Sequence, residues 1–315
     1  MYIGIDLGGT NIAAALVNKD GVIAKRAVIP TSGDGGAKTV VDGLVQVCQT
    51  LTKNEVPPLS IGIGVPGMVN NETGDVVFTP NLPLSGVNIT SELKEKYRCP
   101  VYLGNDANCA ALGETVAGGA KGAGDVVFIT LGTGIGGGIV LGGRLHTGVN
   151  GAAGELGHMV VETGGRACGC GRHGCWETYA SASGLIRTTK ETLKTNENSL
   201  LWELCEGEAA KINGRAIFDA YRAGDRAAKL AVEQYVAHLA AGIVNIINIL
   251  EPEMFCVGGG LSNAWDCLAE PLQAKVDAEK YTRSSLQSKQ TRIVKAELGN
   301  DAGIIGAAFL FNGMN

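Results

Sequence analysis

No cluster of lysine and arginine forms a basic stripe along these 315 residues, whose net charge is −5 with a pI near 5.5. Binding to nucleic acid by phosphate neutralisation is therefore not expected, and small molecules are the better partners. No apolar run reaches the roughly 18 residues that cross a bilayer, so no membrane partner is expected. The chain opens on a strand instead of a basic, then apolar, cleavable leader. The dipeptide Gly-Lys is absent, which removes any Walker loop of the form G-x-x-x-x-G-K-[ST]. Low-complexity tracts are missing too, so the 47 glycines mark tight turns and places where backbone approaches a ligand. What the chain does have is 45% apolar residues, enough to build a core for each of two ordinary domains. Its cysteines number nine, and Cys48, Cys99, Cys109, Cys205, Cys256 and Cys267 stand singly, the pattern of reduced thiols in a cytoplasm.

Taken in order, Met1 to Leu7 predicts a strand, Gly8-Gly9-Thr10 a tight turn, and Ile12 to Val17 and Val22 to Ile29 two returning strands. A helix from about Ala37 to Lys53 stops before Pro57-Pro58, and Ser60 to Val65 reads as a buried strand. A helix from Thr90 to Tyr97 and a strand from Val101 to Gly104 lead through Asn105-Asp106 into an alanine-rich helix, Ala107 to Val116. Gly118 to Gly124 is the expected domain boundary. Beyond it Asp125 to Leu131, the turn Gly132-Thr133-Gly134 and Gly136 to Leu141 repeat the opening hairpin, which favours an internal duplication over one large sheet. Helices follow at Ser183 to Leu193, Arg215 to Ala223, Asp225 to Leu250 and up to Glu279, with strands at Met254 to Val257 and Arg292 to Ala296. A last helix covers Ala302 to Phe311.

Two stretches match G-x-G-x-x-G, Gly62 to Gly67 and Gly132 to Gly137, but neither leads into a helix, so a dinucleotide fold is rejected. The two Gly/Thr hairpin turns, with Gly258-Gly259-Gly260 as a third, instead offer backbone N–H groups and hydroxyls to anionic phosphate oxygens. Asp6, just before the first turn, suits a water-coordinated Mg²⁺. Asp106 reads either as the N-cap of its helix or as a base at a strand end.

Between Glu155 and Glu177 lie three of the nine cysteines and two of the four histidines. His158, Cys168, Cys170 and Cys175 make a tetrahedral donor set of the kind a structural zinc prefers, and Gly169, Gly171 and Gly174 let the loop turn around one ion. One disulfide with a free thiol is the alternative. Glu155 and Glu177 are either surface glutamates or, beside a metal-fixed loop, acceptors for sugar hydroxyls, with one ring nitrogen of His158 on the metal and the other free.

Asp6-Leu-Gly-Gly-Thr-Asn11, Gly104-Asn-Asp106, Leu131 to Gly138, Gly154-Glu-Leu-Gly-His-Met159 and C-x-C-G-x-x-G-C-x-E at Cys168 to Glu177 together resemble the ROK family of sugar kinases and repressors, within it the bacterial ATP-dependent glucokinases. The resemblance implies an α/β, two-domain actin-like and hexokinase-like (ribonuclease H-like) ATPase fold with ATP and sugar in an interdomain cleft. It implies an N-terminal domain over residues 1–117, with the helix at 300–315 packing back on it, and a C-terminal domain over 118–299 carrying the zinc loop and dimer-forming helices. It makes Asp106 the catalytic base for the 6-hydroxyl of glucose in the first step of glycolysis. Gly67, Asn81, Asn105, Asp106, Glu155, His158 and Glu177 become sugar ligands. Asp6, Gly8, Gly9, Thr10, Asn11, Gly132, Thr133, Gly134, Gly258 and Gly259 become contacts of ATP and Mg²⁺, and His158, Cys168, Cys170 and Cys175 hold a structural Zn²⁺. A cytoplasmic homodimer is implied as well. Kinases for N-acetylmannosamine, N-acetylglucosamine, fructose or allose share most of these residues, so the sugar stays open. A DNA-binding regulator is less expected, because the Asp-Leu-Gly-Gly-Thr motif begins at residue 6 with no helix-turn-helix module ahead of it.

Overall fold

The computed structural model describes residues 1–196, 198–282 and 289–313. Its first sheet grows from the apolar opening of the chain. β1 (Tyr2–Leu7) and β2 (Asn11–Val17) pair antiparallel from Tyr2 with Val17 to Leu7 with Ile12, and β3 (Ile23–Pro30) adds to β2 antiparallel. After α1 (Gly36–Thr52), β4 (Ile61–Val65) returns parallel to β1, and it is buried at every position because both its faces are covered. A small three-stranded sheet, β5 (Met68–Asn70), β6 (Asp75–Phe78) and β7 (Val87–Asn88), precedes α2 (Ser91–Tyr97). The strand β8 (Val101–Asn105) then runs parallel to β4 and hands over directly to α3 (Asp106–Ala117), giving the order β3-β2-β1-β4-β8.

The second sheet repeats this order. Its strands β9 (Val126–Leu131), β10 (Ile135–Leu141) and β11 (Arg144–Leu145) are joined by β12 (Met254–Gly258) and β13 (Arg292–Lys295) as β11-β10-β9-β12-β13. Two sheets built to one plan are what an internal duplication requires and a single sheet is not. Helices fill the stretch between β11 and β12: α4 (Glu177–Ala180), α5 (Ala182–Leu193), α6 (Leu200–Leu204), α7 (Gly214–Arg222) and α8 (Arg226–Leu250). α9 (Trp265–Glu279) lies between β12 and β13. The expected last helix is broken at Phe309 into α10 (Ala302–Ala308) and α11 (Leu310–Gly313).

The chain divides into two compact units: Met1–Phe128 with Gly137–Gly154 and Ala296–Asn315, and Ile129–Gly136 with Glu155–Lys295. The first unit therefore runs past Gly118. Behind that glycine the fully buried Glu114 holds the chain turn, its carboxylate accepting the backbone N–H groups of Gly119, Glu297 and Leu298. The same unit takes in α10, which crosses its elements at backbone contact. A Cβ at Gly4 would overlap the Ile304 carbonyl, at Gly62 that of Ala307, and at Gly306 that of Cys109 on α3. Only glycine allows so close an approach.

One expectation about apolar runs needs correction. α8 is long and apolar enough by length and composition to cross a bilayer, because its alanines, isoleucines and valines are diluted by few charges. Most of the helix is buried, Ala231, Tyr235, Leu239 and Ile243 among its buried residues, and it packs on α5 and α9 in the second unit. It is the core helix of that unit.

Candidate active site

In the first unit the junction of β8 and α3 is built by Asn105. Its side-chain oxygen accepts the N–H groups of Ala107 at 2.9 Å and Asn108 at 3.1 Å, so Asn105 is the N-cap and Asp106 is already inside the helix. The reading of Asp106 as the cap is thus corrected; an asparagine one residue earlier satisfies the orphan donors. The amide nitrogen of Asn105 donates to the Gly67 carbonyl at 3.2 Å, and Gly67 adopts φ +127 where a side chain would strike Phe78, so these two expected site residues are brought together. Asn81 is exposed, and no hydrogen bond among the described residues holds it. Beside Asn105 opens a cavity of about 820 Å³, lined also by Asn70, Asn108, His146, Thr147 and Val149.

The carboxyl of Asp106 is open to solvent on one side, yet the surrounding protein atoms raise its pKa by desolvation, partly offset by the Ala107 N–H at 2.8 Å. Asp6, at the end of β1, is raised to about 6 by burial first and by the charge of Asp106 second. The turn beyond it, Gly8 to Asn11, is closed by Gly8 N–H on the Asn11 carbonyl at 3.0 Å and by Thr31, whose hydroxyl donates to the Gly8 carbonyl at 2.7 Å. Nothing lies within 4 Å of the space a Cβ would fill at Gly9. No steric neighbour demands that glycine, and the room above it is left for something else.

In the second unit Gly132 is open in the same way, whereas Gly134 is crowded by the carboxylate of Glu177. Gly259, at φ +83, packs on the backbone of Leu131, so the third glycine turn lies against the second. Glu177 is the first residue of α4, with one oxygen 3.4 Å from the Ile135 N–H and the other receiving the Cys168 thiol at 3.0 Å.

The loop that carries the cysteines folds back through bridges pairing Val160 with Cys175 and Ala167 with His173. Gly171 and Gly174 take φ +88 and +80, as expected of the tight turns, but Gly169 does not need a left-handed backbone. Trp176, fully buried, docks the loop onto α8: its indole N–H reaches the His238 carbonyl at 2.8 Å and its ring fills the space beside Gly242. The donor atoms of His158, Cys168, Cys170 and Cys175 all lie within 4.8 Å of one another. Cys170 and Cys175 sulfurs are 3.6 Å apart, as are the Cys168 sulfur and His158 Nδ1. Ligands tetrahedrally disposed about zinc at about 2.3 Å are separated by about 3.8 Å, so this set fits that ion, and the spacing of Cys170 and Cys175 is far from a disulfide bond. With Nδ1 turned to the sulfurs, Nε2 of His158 lies 4.0 Å from a Glu155 oxygen, and Glu177 lies 3.6 Å from Nδ1.

A smaller cavity of about 330 Å³ opens beside the second turn, bringing Ser183 and Arg187 of α5 to Thr133 and Gly134. Neither α5 residue stood out in the sequence; their i, i+4 spacing behind the N-cap Ser181 was the available signal.

Two duplicated sheets of this order, each with a Gly/Thr hairpin, and a Cys₃His loop beside paired glutamates define the sugar-kinase class of the hexokinase-like fold. The chain belongs to the ROK family, whose pattern it matches over residues 2–314. It is 40% identical to the glucokinase of Thermotoga maritima over 307 residues, 97% of this chain and 95% of that one. A ROK family glucokinase from Streptomyces griseus, solved with glucose and AMPPNP, superposes with a TM-score of 0.78 at 33% identity, covering 98% of both chains. The xylose repressor of Bacillus subtilis is 27% identical over 96% of this chain but only 75% of its own length.

Proposed function

We propose that this chain transfers the γ-phosphoryl group of ATP to the 6-hydroxyl of D-glucose, giving glucose 6-phosphate and ADP. The observation that carries the reading is the carboxylate of Asp106, relieved of capping by Asn105 and raised in pKa above an ordinary aspartate. It orients the sugar hydroxyl and takes its proton as the oxygen bonds to phosphorus and the bond to the ADP oxygen breaks. In a loose transition state that proton moves late, so orientation is most of its work.

Asn105, Gly67 and Asn81 from the first unit, and Glu155, His158 and Glu177 from the second, are the sugar contacts. Gly8 to Asn11, Gly132 to Gly134 and Gly258-Gly259 would receive ATP, and Asp6 would hold Mg²⁺ through a water, the ion supplying neutralising charge to the phosphates. Zinc on His158, Cys168, Cys170 and Cys175 fixes the loop from which Glu155, His158 and Glu177 project; a closed four-ligand site of that kind performs no chemistry of its own. The resemblance further supports a cytoplasmic homodimer serving glycolysis.

A panel of hexoses and amino sugars assayed with Mg·ATP tests this. Turnover on N-acetylmannosamine or N-acetylglucosamine with none on glucose would replace the substrate; the 820 Å³ cavity beside Asn105 has room for an acetamido group. Absence of turnover on every sugar, with sugar binding retained, would favour a regulator.

A further inference from the structure

None of the residues assigned to ATP is cationic: Asp6, Gly8, Gly9, Thr10, Asn11, Gly132, Thr133, Gly134, Gly258 and Gly259 offer only backbone, hydroxyl, amide and carboxylate groups. A triphosphate carries several negative charges, more than one Mg²⁺ neutralises, and phosphoryl-transfer sites ordinarily add a Lys or Arg to the metal. Among the described residues lining the cavity beside the second glycine turn, one is basic. Arg187 lines the 330 Å³ cavity together with Thr133, Gly134, Ser183 and Glu177.

The donors around this cavity are largely unspent. Among the described residues the hydroxyls of Thr133 and Ser183 have no hydrogen-bond partner, and Arg187 uses only Nε, on Glu191 at 3.2 Å, leaving both terminal nitrogens free. The Glu191 carboxylate is itself shared with Arg166, which holds it at 2.6 Å. Glu177, the acid in the cavity wall, is already engaged by the Ile135 N–H and the Cys168 thiol. Arg187 is half exposed, so its guanidinium is free to reorient toward a ligand.

We propose that Arg187 is the cationic phosphate ligand of this enzyme, gripping non-transferred phosphate oxygens of ATP with Ser183 and the Thr133 turn. The inference rests on the reading of Gly132 to Gly134 as a phosphate turn. The guanidinium offers two parallel N–H donors to phosphate, a geometry lysine does not reproduce.

The test compares Arg187→Gln and Arg187→Lys with wild type in steady-state kinetics, and uses inorganic tripolyphosphate and adenosine as competitive probes. Arg187→Gln is expected to raise KM for Mg·ATP and Ki for tripolyphosphate about tenfold, with Ki for adenosine and KM for sugar within twofold and the unfolding temperature unchanged. Arg187→Lys should recover part of the loss. Equal weakening of adenosine and tripolyphosphate, a matching rise in sugar KM, or unaltered kinetics would each overturn the assignment. Thr133→Val separates the two readings. If it weakens ATP while Arg187→Gln does not, only the arginine is wrong; if neither weakens ATP, the phosphate turn is wrong as well.

Discussion

Asp6 titrates in the field of Asp106: burial first and that neighbouring charge second lift its carboxyl to about 6. Two carboxylates kept close in the first unit repel when both are ionised, a strain that a divalent cation relieves.

The pH dependence of stability follows from the sign of that shift. Because the folded state holds the Asp6 proton more tightly than the unfolded chain, its contribution is fully present below about pH 4 and is lost as pH rises through 6. A rise of about two units corresponds to at most about 3 kcal/mol, and less to the extent that water reaches the carboxylate. Thermal unfolding without divalent metal should therefore show wild type losing stability between pH 4 and 7 relative to Asp6→Asn, with the variant the more stable at pH 7.5. Parallel pH profiles would refute the shift. Mg·ATP should stabilise wild type more than the variant at pH 7.5.

Asp106→Asn should keep the fold, since Asn105 caps α3 and an asparagine oxygen can still accept the Ala107 N–H. Turnover should fall roughly a thousandfold, the scale of a lost general base. Sugar binding by calorimetry should stay within a fewfold of wild type. A variant with substantial kcat would remove Asp106 from the role of base.

Much of this was legible in advance where a residue pattern maps onto one physical cause. Strict apolar runs ending in Gly-Gly-Thr and Gly-Thr-Gly located both hairpins, and the C-x-C spacing located the thiols that cluster with His158. The expected fold class and family were borne out by the ROK match and by the glucokinase structure. Other features escaped because local sequence underdetermines them. The strands β5 to β7 are two to four residues long and expose Val77 and Phe78, so they carry no burial signal. Asn105 and Asp106 are both good caps, and only the hydrogen bonds choose between them. The close backbone packing at Gly4, Gly62 and Gly306 left no local signal, because the backbone these glycines admit comes from far along the chain.

The loop of His158, Cys168, Cys170 and Cys175 predicts about one zinc per chain by elemental analysis of protein purified without chelator. Cys170→Ser should lose that metal. It should weaken sugar binding roughly 10- to 100-fold, the cost typical of losing a group that orients ligand-bearing side chains. KM for ATP should rise as well, by less than the loss in sugar binding, because Glu177 joins the Cys168 thiol to the turn at Gly134 and Ile135. Wild-type sugar affinity in a metal-free variant would contradict the role of the metal.

Gly306→Ala tests the closest approach in the first unit. α3 and α10 meet where Gly306 faces the Cys109 carbonyl and the Gly113 nitrogen, and a Cβ there would overlap the carbonyl. The added methyl cannot be absorbed by a side-chain rotation, because the obstructing atom is backbone; the helices must separate, and with them the contacts of α10 on β1 and β4. Alanine's better helix propensity offsets only about 1 kcal/mol, against an overpacking cost on the order of 3 kcal/mol. The unfolding temperature should fall by roughly 3–6 °C. Gly9→Ala, where no neighbour lies within 4 Å, is the contrasting change: it should leave the unfolding temperature nearly unmoved and raise KM for ATP. If both variants unfolded alike, the close crossing of α3 and α10 would not be what makes glycine necessary at 306.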